Sequence, residues 1–324
     1  MRYSVLGRTG VTVSRLALGT MTFGGESDEA TAASILGRAR DAGVNFIDTA
    51  DVYNKGRSEE ILGRLLRGHR DQVVLATKAY FPTGPDPNAR GGSRYHLVRA
   101  VEASLARLST DRIDVYYMHR FDDHTDLGDS LRALDDLVRQ GKVLYPACSN
   151  FAAWQVAHGL GLAAARGLSP LYAVQPMYNL LKRQAEVEIL PMARALGLGV
   201  VAYSPAAGGL LTGKYLRGAR PDGARFTTNA MYQTRYGDPA YWTVADAFAS
   251  LAAELGHRPA TLAVAWVLSH PAVTSVLLGA RSVEQLDDTL AAADLVLDDA
   301  ARARVASLTP APPPATDRSE EGGT

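Results

Sequence analysis

Short apolar runs alternate with amphipathic stretches along almost the whole chain. The runs at 15–18, 44–48, 73–77, 113–119, 143–148, 173–175, 199–204 and 275–278 are brief and rich in β-branched or aromatic residues. Several lack polar alternation, which is how strands buried on both faces read. Between 93 and 110, Leu97, Val101, Leu105 and Leu108 recur every three or four positions while Arg99, Glu102 and Arg107 occupy other faces, predicting a helix. Leu131, Leu134 and Val138 form a second stripe that stops near Gly141, and 261–271 predicts a third helix ending near Pro271. Eight strands alternating with helices predict an α/β fold of the (β/α)8 TIM-barrel type, with an open sheet as the competing topology.

Ahead of the first strand, Thr9 and Gly10 separate two extended stretches, predicting a hairpin that plugs the barrel bottom. Long connections follow the third strand (80–93) and the seventh (206–241), at the strand ends where barrels hold ligands. At least one of them is expected to act as a lid or substrate loop. The barrel is expected to occupy 1–308 as one domain. The Pro-, Gly- and charge-rich segment 309–324 cannot bury enough to fold alone and is expected to be a disordered tail.

Composition narrows the function. With 34 basic and 34 acidic residues the formal net charge is zero, so no global attraction to nucleic acid or anionic membrane is expected. Cys148 is the only cysteine, which excludes an intrachain disulfide and fits a reducing compartment. The N-terminal region has no signal-peptide pattern and no apolar run reaches the roughly 20 residues of a membrane span; a cytoplasmic protein is expected.

Four polar residues fall at consecutive strand ends. Asp48 closes VNFID, Lys78 follows VVLAT, His119 ends IDVYYMH, and Tyr53 lies five residues past Asp48. Parallel strands of a barrel end on one face, so these side chains are expected to converge. Tyrosine ordinarily titrates near 10, and a neighbouring ammonium favours the phenolate and lowers that value. Such a group suits carbonyl reduction, with Tyr53 as acid, Lys78 and Asp48 as its tuners, and His119 as an orienting donor. None of these side chains carries a hydride, so a cofactor is required. No GxGxxG or GxxxxGK[ST] is present, which leaves GARS at 279–282, after the eighth strand, as the phosphate candidate.

At this point the chain resembles the aldo-keto reductase family. The stretches NFIDTADVYNKGRSEEILG (45–63), ATK (76–78), TDRIDVYYMHR (110–120), SNF (149–151), QPMYN (175–179), YSP (203–205), GLLTGKY (209–215) and GARSVEQL (279–286) carry the resemblance, which spans about 2–305. It implies a (β/α)8 barrel that reduces aldehydes, ketones or keto-sugars with NADPH, without metal, and with Asp48, Tyr53, Lys78 and His119 as the catalytic residues. It further implies cofactor contacts. Ser149, Asn150 and Gln175 match the carboxamide-binding group and Tyr203 the stacking aromatic. Ser204, Leu210 and Gly213 match the pyrophosphate segment, Arg281 and Ser282 the surroundings of the 2′-phosphate and Gln285 the adenine end, with Pro205, Lys214 and Gly279 as further cofactor contacts. Gly19, Thr20, Met21 and Asp48 complete the set. A guanidinium facing the 2′-phosphate favours NADP over NAD.

The chain departs from that pattern at Pro146 and Cys148, where the family normally reads YIGVSNF, and at Leu278 and Thr289 near the adenine end. Mouth aromatics are expected from Phe23, Tyr80, Phe81, Phe121 and Trp242, with Arg120 and Asp122 as polar handles. Two other readings stay open at this level: a non-catalytic NADPH-binding regulatory module, and a Schiff-base barrel with Lys78 as nucleophile. The partner implied is a small carbonyl compound; oligomeric state and reaction direction are not encoded in these patterns.

Overall fold

The computed structural model describes residues 1–219, 226 and 229–316. Tyr3–Val5 (β1) and Thr12–Ser14 (β2) pair antiparallel as a separate hairpin. Eight parallel strands follow: Leu16–Gly19 (β3), Phe46–Asp48 (β4), Val74–Ala79 (β5), Ile113–Met118 (β6), Val143–Ser149 (β7), Ala173–Gln175 (β8), Gly199–Ala202 (β9) and Ser275–Gly279 (β10). Each pairs with the next, and β10 returns to β3 to close the barrel. All eight expected strands are present. Their ends move by a residue or two: Phe46 opens β4, while His119 and Ser204 lie just past β6 and β9.

Helices run between the strands. Asp28, Ser93 and Asp126 start three of them, each accepting a backbone N–H of its first turn through its side chain. The apolar stripes read from sequence are the buried faces of Arg94–Leu108 and Leu127–Arg139, and Pro259 opens Pro259–Leu268 at a position where its missing N–H costs nothing.

Strand alternation divides the apolar interior in two. Ala17, Phe46, Ala76, Val115, Tyr117, Ala147, Ala173, Val201 and Leu277 fill the barrel, whereas Leu16, Leu18, Ile47, Leu75, Tyr116 and Cys148 face the helices. The hairpin supplies Leu6 and Val13, both fully buried, to the inner group, so it does plug the barrel. Its turn at Gly7 has φ +53°, and a Cβ there would meet Gly199 N at 2.5 Å and Tyr172 O at 2.7 Å, so only glycine lets the plug sit this close. Leu6→Ala is expected to cost about 2–5 kcal/mol, the range for a truncated core leucine. A urea midpoint unchanged from the parent would remove the hairpin from the folding core.

Pro146 sits inside β7 without breaking it. Its carbonyl accepts Tyr172 N–H at 2.8 Å, and pairing with β8 starts only at Ala147↔Ala173. The missing donor therefore falls ahead of the ladder's start. Cys148 is fully buried on the helix-facing side, and burial pushes its thiol pKa up. It neighbours Ser149 along the chain but points into the other layer. No described helix is long and apolar enough to cross a membrane. Of the expected tail, Thr309 is held by Arg183, which donates to its carbonyl at 3.5 Å, and 317–324 lie outside the described residues, as do 220–225 and 227–228 of the second long connection.

Candidate active site

The consecutive strand ends bring the four polar residues together. Asp48 pairs with Ala76 across β4 and β5, and Lys78 with Tyr117 across β5 and β6. Lys78 is fully buried; its ammonium donates to an Asp48 carboxylate oxygen and, at 2.8 Å, to Thr49 O. Gln175 Nε2 donates to the other Asp48 oxygen at 2.8 Å. Tyr53 opens a short turn, Tyr53–Gly56, whose Asn54 and Lys55 are left-handed at φ 48° and 59°. Asn54 holds that turn by donating through Nδ2 to Met21 O and Phe23 O at 2.9 and 2.8 Å. Lys78 Nζ lies 5.3 Å from the Tyr53 ring centroid, and the His119 ring stands edge-on to Tyr53 at 6.1 Å and to Phe81 at 4.9 Å.

The protonation states follow from burial and from this pairing. Burial alone would lower Lys78, but Asp48 and Tyr53 more than offset it and hold the ammonium above its ordinary value. His119 is held well below its ordinary value by burial and by the nearby Lys78 charge, so it is neutral at pH 7 and offers one N–H. For Tyr53 the direction differs from the sequence expectation. Lys78 does pull the phenol down, but burial, joined by Asp48, pushes it up and prevails. Tyr53 is therefore a neutral phenol that carries its proton throughout the neutral range.

Asp48, Tyr53 and His119 open onto a cavity of about 740 Å³, with Lys78 fully buried beside Asp48. Of the expected cofactor residues, Gly19, Met21, Asp48, Ser149, Asn150, Gln175, Tyr203, Ser204, Pro205, Lys214, Gly279, Arg281 and Gln285 line it. Tyr203 OH donates to Asn150 Oδ1 at 2.7 Å, Asn150 Nδ2 to His119 O at 2.9 Å, and Ser149 Oγ to Gln175 O at 2.9 Å, so one chain of bonds links β6 through β9. Asn150 and Ser204 hold left-handed backbones at φ 58° and 60°, strain of a kind that concentrates at functional sites.

Four expected contacts are not among the residues lining the cavity. The Thr20 hydroxyl donates to Asp48 O at 3.1 Å, Leu210 is buried in the helix-facing core, Gly213 packs toward Pro259, and Ser282 caps the helix Val283–Leu290. Among the expected aromatics, Phe81 lines the cavity. Phe23 is fully buried, Tyr80 supports Phe81, Phe121 packs on Phe151 and Trp154, and Trp242 packs on Tyr215 and Phe226. Asp122 is buried away from the cavity, accepting from Gly92 N and Thr125 Oγ1 at 2.7 Å each. Missed from sequence are Met231, Tyr232 and Arg235, presented by the helix Ala230–Arg235 within the second long connection. Thr289 also lines the cavity, with its hydroxyl spent on Leu286 O at 2.9 Å.

A model of the Aldo/keto reductase family matches residues 15–309. A Bacillus subtilis (strain 168) protein named "Uncharacterized oxidoreductase YrpG" is 44% identical over 310 residues, covering 92% of this chain and 93% of that protein. An Arabidopsis thaliana protein named "Probable voltage-gated potassium channel subunit beta" is 38% identical over 308 residues, covering 91% and 92% respectively. A similarly named protein of Schizosaccharomyces pombe is 34% identical over 306 residues, covering 91% and 88%.

Proposed function

The chain belongs to the aldo/keto reductase family, and from that we propose that it reduces the carbonyl of an aldehyde, ketone or keto-sugar with NADPH, Tyr53 giving the proton. The observation that carries this reading is the convergence of a neutral phenol, a buried ammonium–carboxylate pair and a neutral imidazole on one cavity. Bound NADPH supplies the hydride that reaches the carbonyl carbon.

The chain's own residues supply the rest. Tyr53 holds the proton destined for the carbonyl oxygen, and the Lys78 ammonium beside it stabilises the phenolate left behind. Asp48, held by Lys78 and Gln175, fixes that ammonium in place. His119 offers an N–H to the carbonyl oxygen and sets its approach to Tyr53. The donor set suits the cofactor: Ser149, Asn150 and Gln175 face the cavity with amide and hydroxyl groups, Tyr203 offers a ring, and Lys214 and Arg281 offer cations for phosphate.

Two rival readings fare worse. A Schiff-base mechanism needs a neutral, reachable Lys78, yet that lysine is fully buried and held as an ammonium. A purely regulatory, non-catalytic role gives no reason for a complete proton-transfer group at the cavity. A panel of aldehydes, ketones and keto-sugars followed by NADPH absorbance tests the proposal, and tight NADPH binding without turnover on any of them refutes it. Arg281, which also pairs with Glu26 at 3.6 Å, is assigned to the 2′-phosphate. Arg281→Ala is expected to weaken NADPH by about 10- to 100-fold, the scale of charge-assisted hydrogen bonds, and NADH much less. Equal losses for both in a fluorescence titration would place the guanidinium elsewhere.

A further inference from the structure

The cavity carries more positive charge than the proposed cofactor contacts use. Its lining includes the cations Arg120, Lys214, Arg235 and Arg281 and the acids Asp48 and Asp288. Both acids are already paired, Asp48 with Lys78 and Asp288 with Arg258. Lys214 and Arg281 are the cations offered above to cofactor phosphate. Arg120 and Arg235 remain.

Arg120 follows His119 directly and is exposed to the cavity. It makes no hydrogen bond, ion pair or ring contact with any described residue. The peptide joining it to His119 is anchored, because Asn150 Nδ2 donates to His119 O at 2.9 Å. Arg235 comes from a different element, the helix Ala230–Arg235. Its guanidinium lies 5.6 Å from the Tyr232 ring centroid, contacts Met231 Sδ at 3.6 Å, and has no carboxylate partner among the described residues. Two guanidiniums without an ion-pair partner among the described residues thus line the cavity from two different elements, and none of the described residues lining it is an unpaired carboxylate.

We propose that Arg120, assisted by Arg235, forms an anion subsite, so that the preferred substrates are carbonyl compounds bearing a carboxylate or phosphate away from the reacting carbon. The inference rests on the carbonyl-reductase reading above. Guanidinium provides directional paired donors for either anion, and enclosure in a cavity strengthens the pairing relative to open solvent.

The test compares kcat/KM for 4-carboxybenzaldehyde with that for methyl 4-formylbenzoate, and for glyceraldehyde 3-phosphate with that for glyceraldehyde. The ester is the more electrophilic of the two aromatic aldehydes, so a preference for the acid must come from the protein. The native chain is expected to favour the anionic member of at least one pair by about tenfold or more, with the preference shrinking as salt rises. The favoured pair identifies which anion the subsite takes. In Arg120→Met the anionic-to-neutral ratio should fall about tenfold, and Arg120→Met with Arg235→Met should bring it near one. A native ratio near one in both pairs, or a ratio that Arg120→Met leaves unchanged, overturns the subsite while leaving the reductase reading intact. Absence of turnover on all four compounds and on the wider panel instead overturns the reductase reading, and the subsite with it.

Discussion

Tyr53→Phe is expected to lower kcat/KM for carbonyl reduction by about 10²–10⁴-fold, the contribution of a positioned proton donor, while NADPH binding stays close to that of the parent. The substitution is conservative in packing. The ring that meets His119 edge-on and lies beneath the Lys78 ammonium is retained, and Lys78 keeps Asp48 and Thr49 as acceptors. What disappears is the hydroxyl proposed to give the proton. Because burial holds this phenol above its ordinary value, reduction in the parent should keep its donor through neutral pH and lose it only above about 10. Alcohol oxidation, which needs the phenolate, should instead rise with pH over the same range. Undiminished steady-state turnover in the phenylalanine variant would falsify the assignment.

Lys78→Met should damage both activity and stability. Removing the ammonium leaves Asp48 in a fully buried site with Gln175 as its remaining side-chain donor. Breaking a buried ion pair in this way costs about 3–5 kcal/mol. Burial already pushes Asp48 upward against the pull of Lys78, and without Lys78 that push meets little opposition. A carboxyl whose folded pKa is raised takes up its proton more readily in the folded state. The folded variant should therefore lose stability as pH rises above about 3.9, the unfolded carboxyl value. The deficit relative to the parent should be smaller near pH 5 than near pH 7.5 in urea unfolding, within that titration window. A deficit independent of pH would mean that Asp48 stays ionised without its partner. The alcohol-oxidation limb should also move to higher pH, because the cation that pulls Tyr53 down is gone.

The barrel was legible because its strands are buried on both faces and so read as uninterrupted apolar runs. The convergence of Asp48, Lys78 and His119 was legible because parallel strands end on one side, which makes strand-end position a proxy for proximity. Burial, by contrast, has no sequence signature at a single residue. The effect of Lys78 on Tyr53 could be foreseen in sign, but the larger opposing effect of desolvation could not. Met231, Tyr232 and Arg235 were missed because a short helix inside a long connection has no periodic pattern to mark its cavity face. Phe23 and Trp242 were placed at the mouth because an aromatic after a strand reads alike whether it turns toward the ligand space or into the loop packing. Cys148 adjoins Ser149 in sequence and is separated from the cavity by one step of strand alternation.

The register that closes the barrel also orders its assembly in time. Ser275–Gly279 is the strand that completes the ring, pairing with Leu16–Gly19 on one side and Gly199–Ala202 on the other. The first barrel strand precedes this partner by some 260 residues, so any sheet formed before Ser275–Gly279 joins it has two unpaired edges. Contacts between positions so distant along the chain form slowly, and exposed strand edges invite pairing with other chains. Closure at Val276↔Leu16 removes both edges together and leaves the ring without a free strand edge.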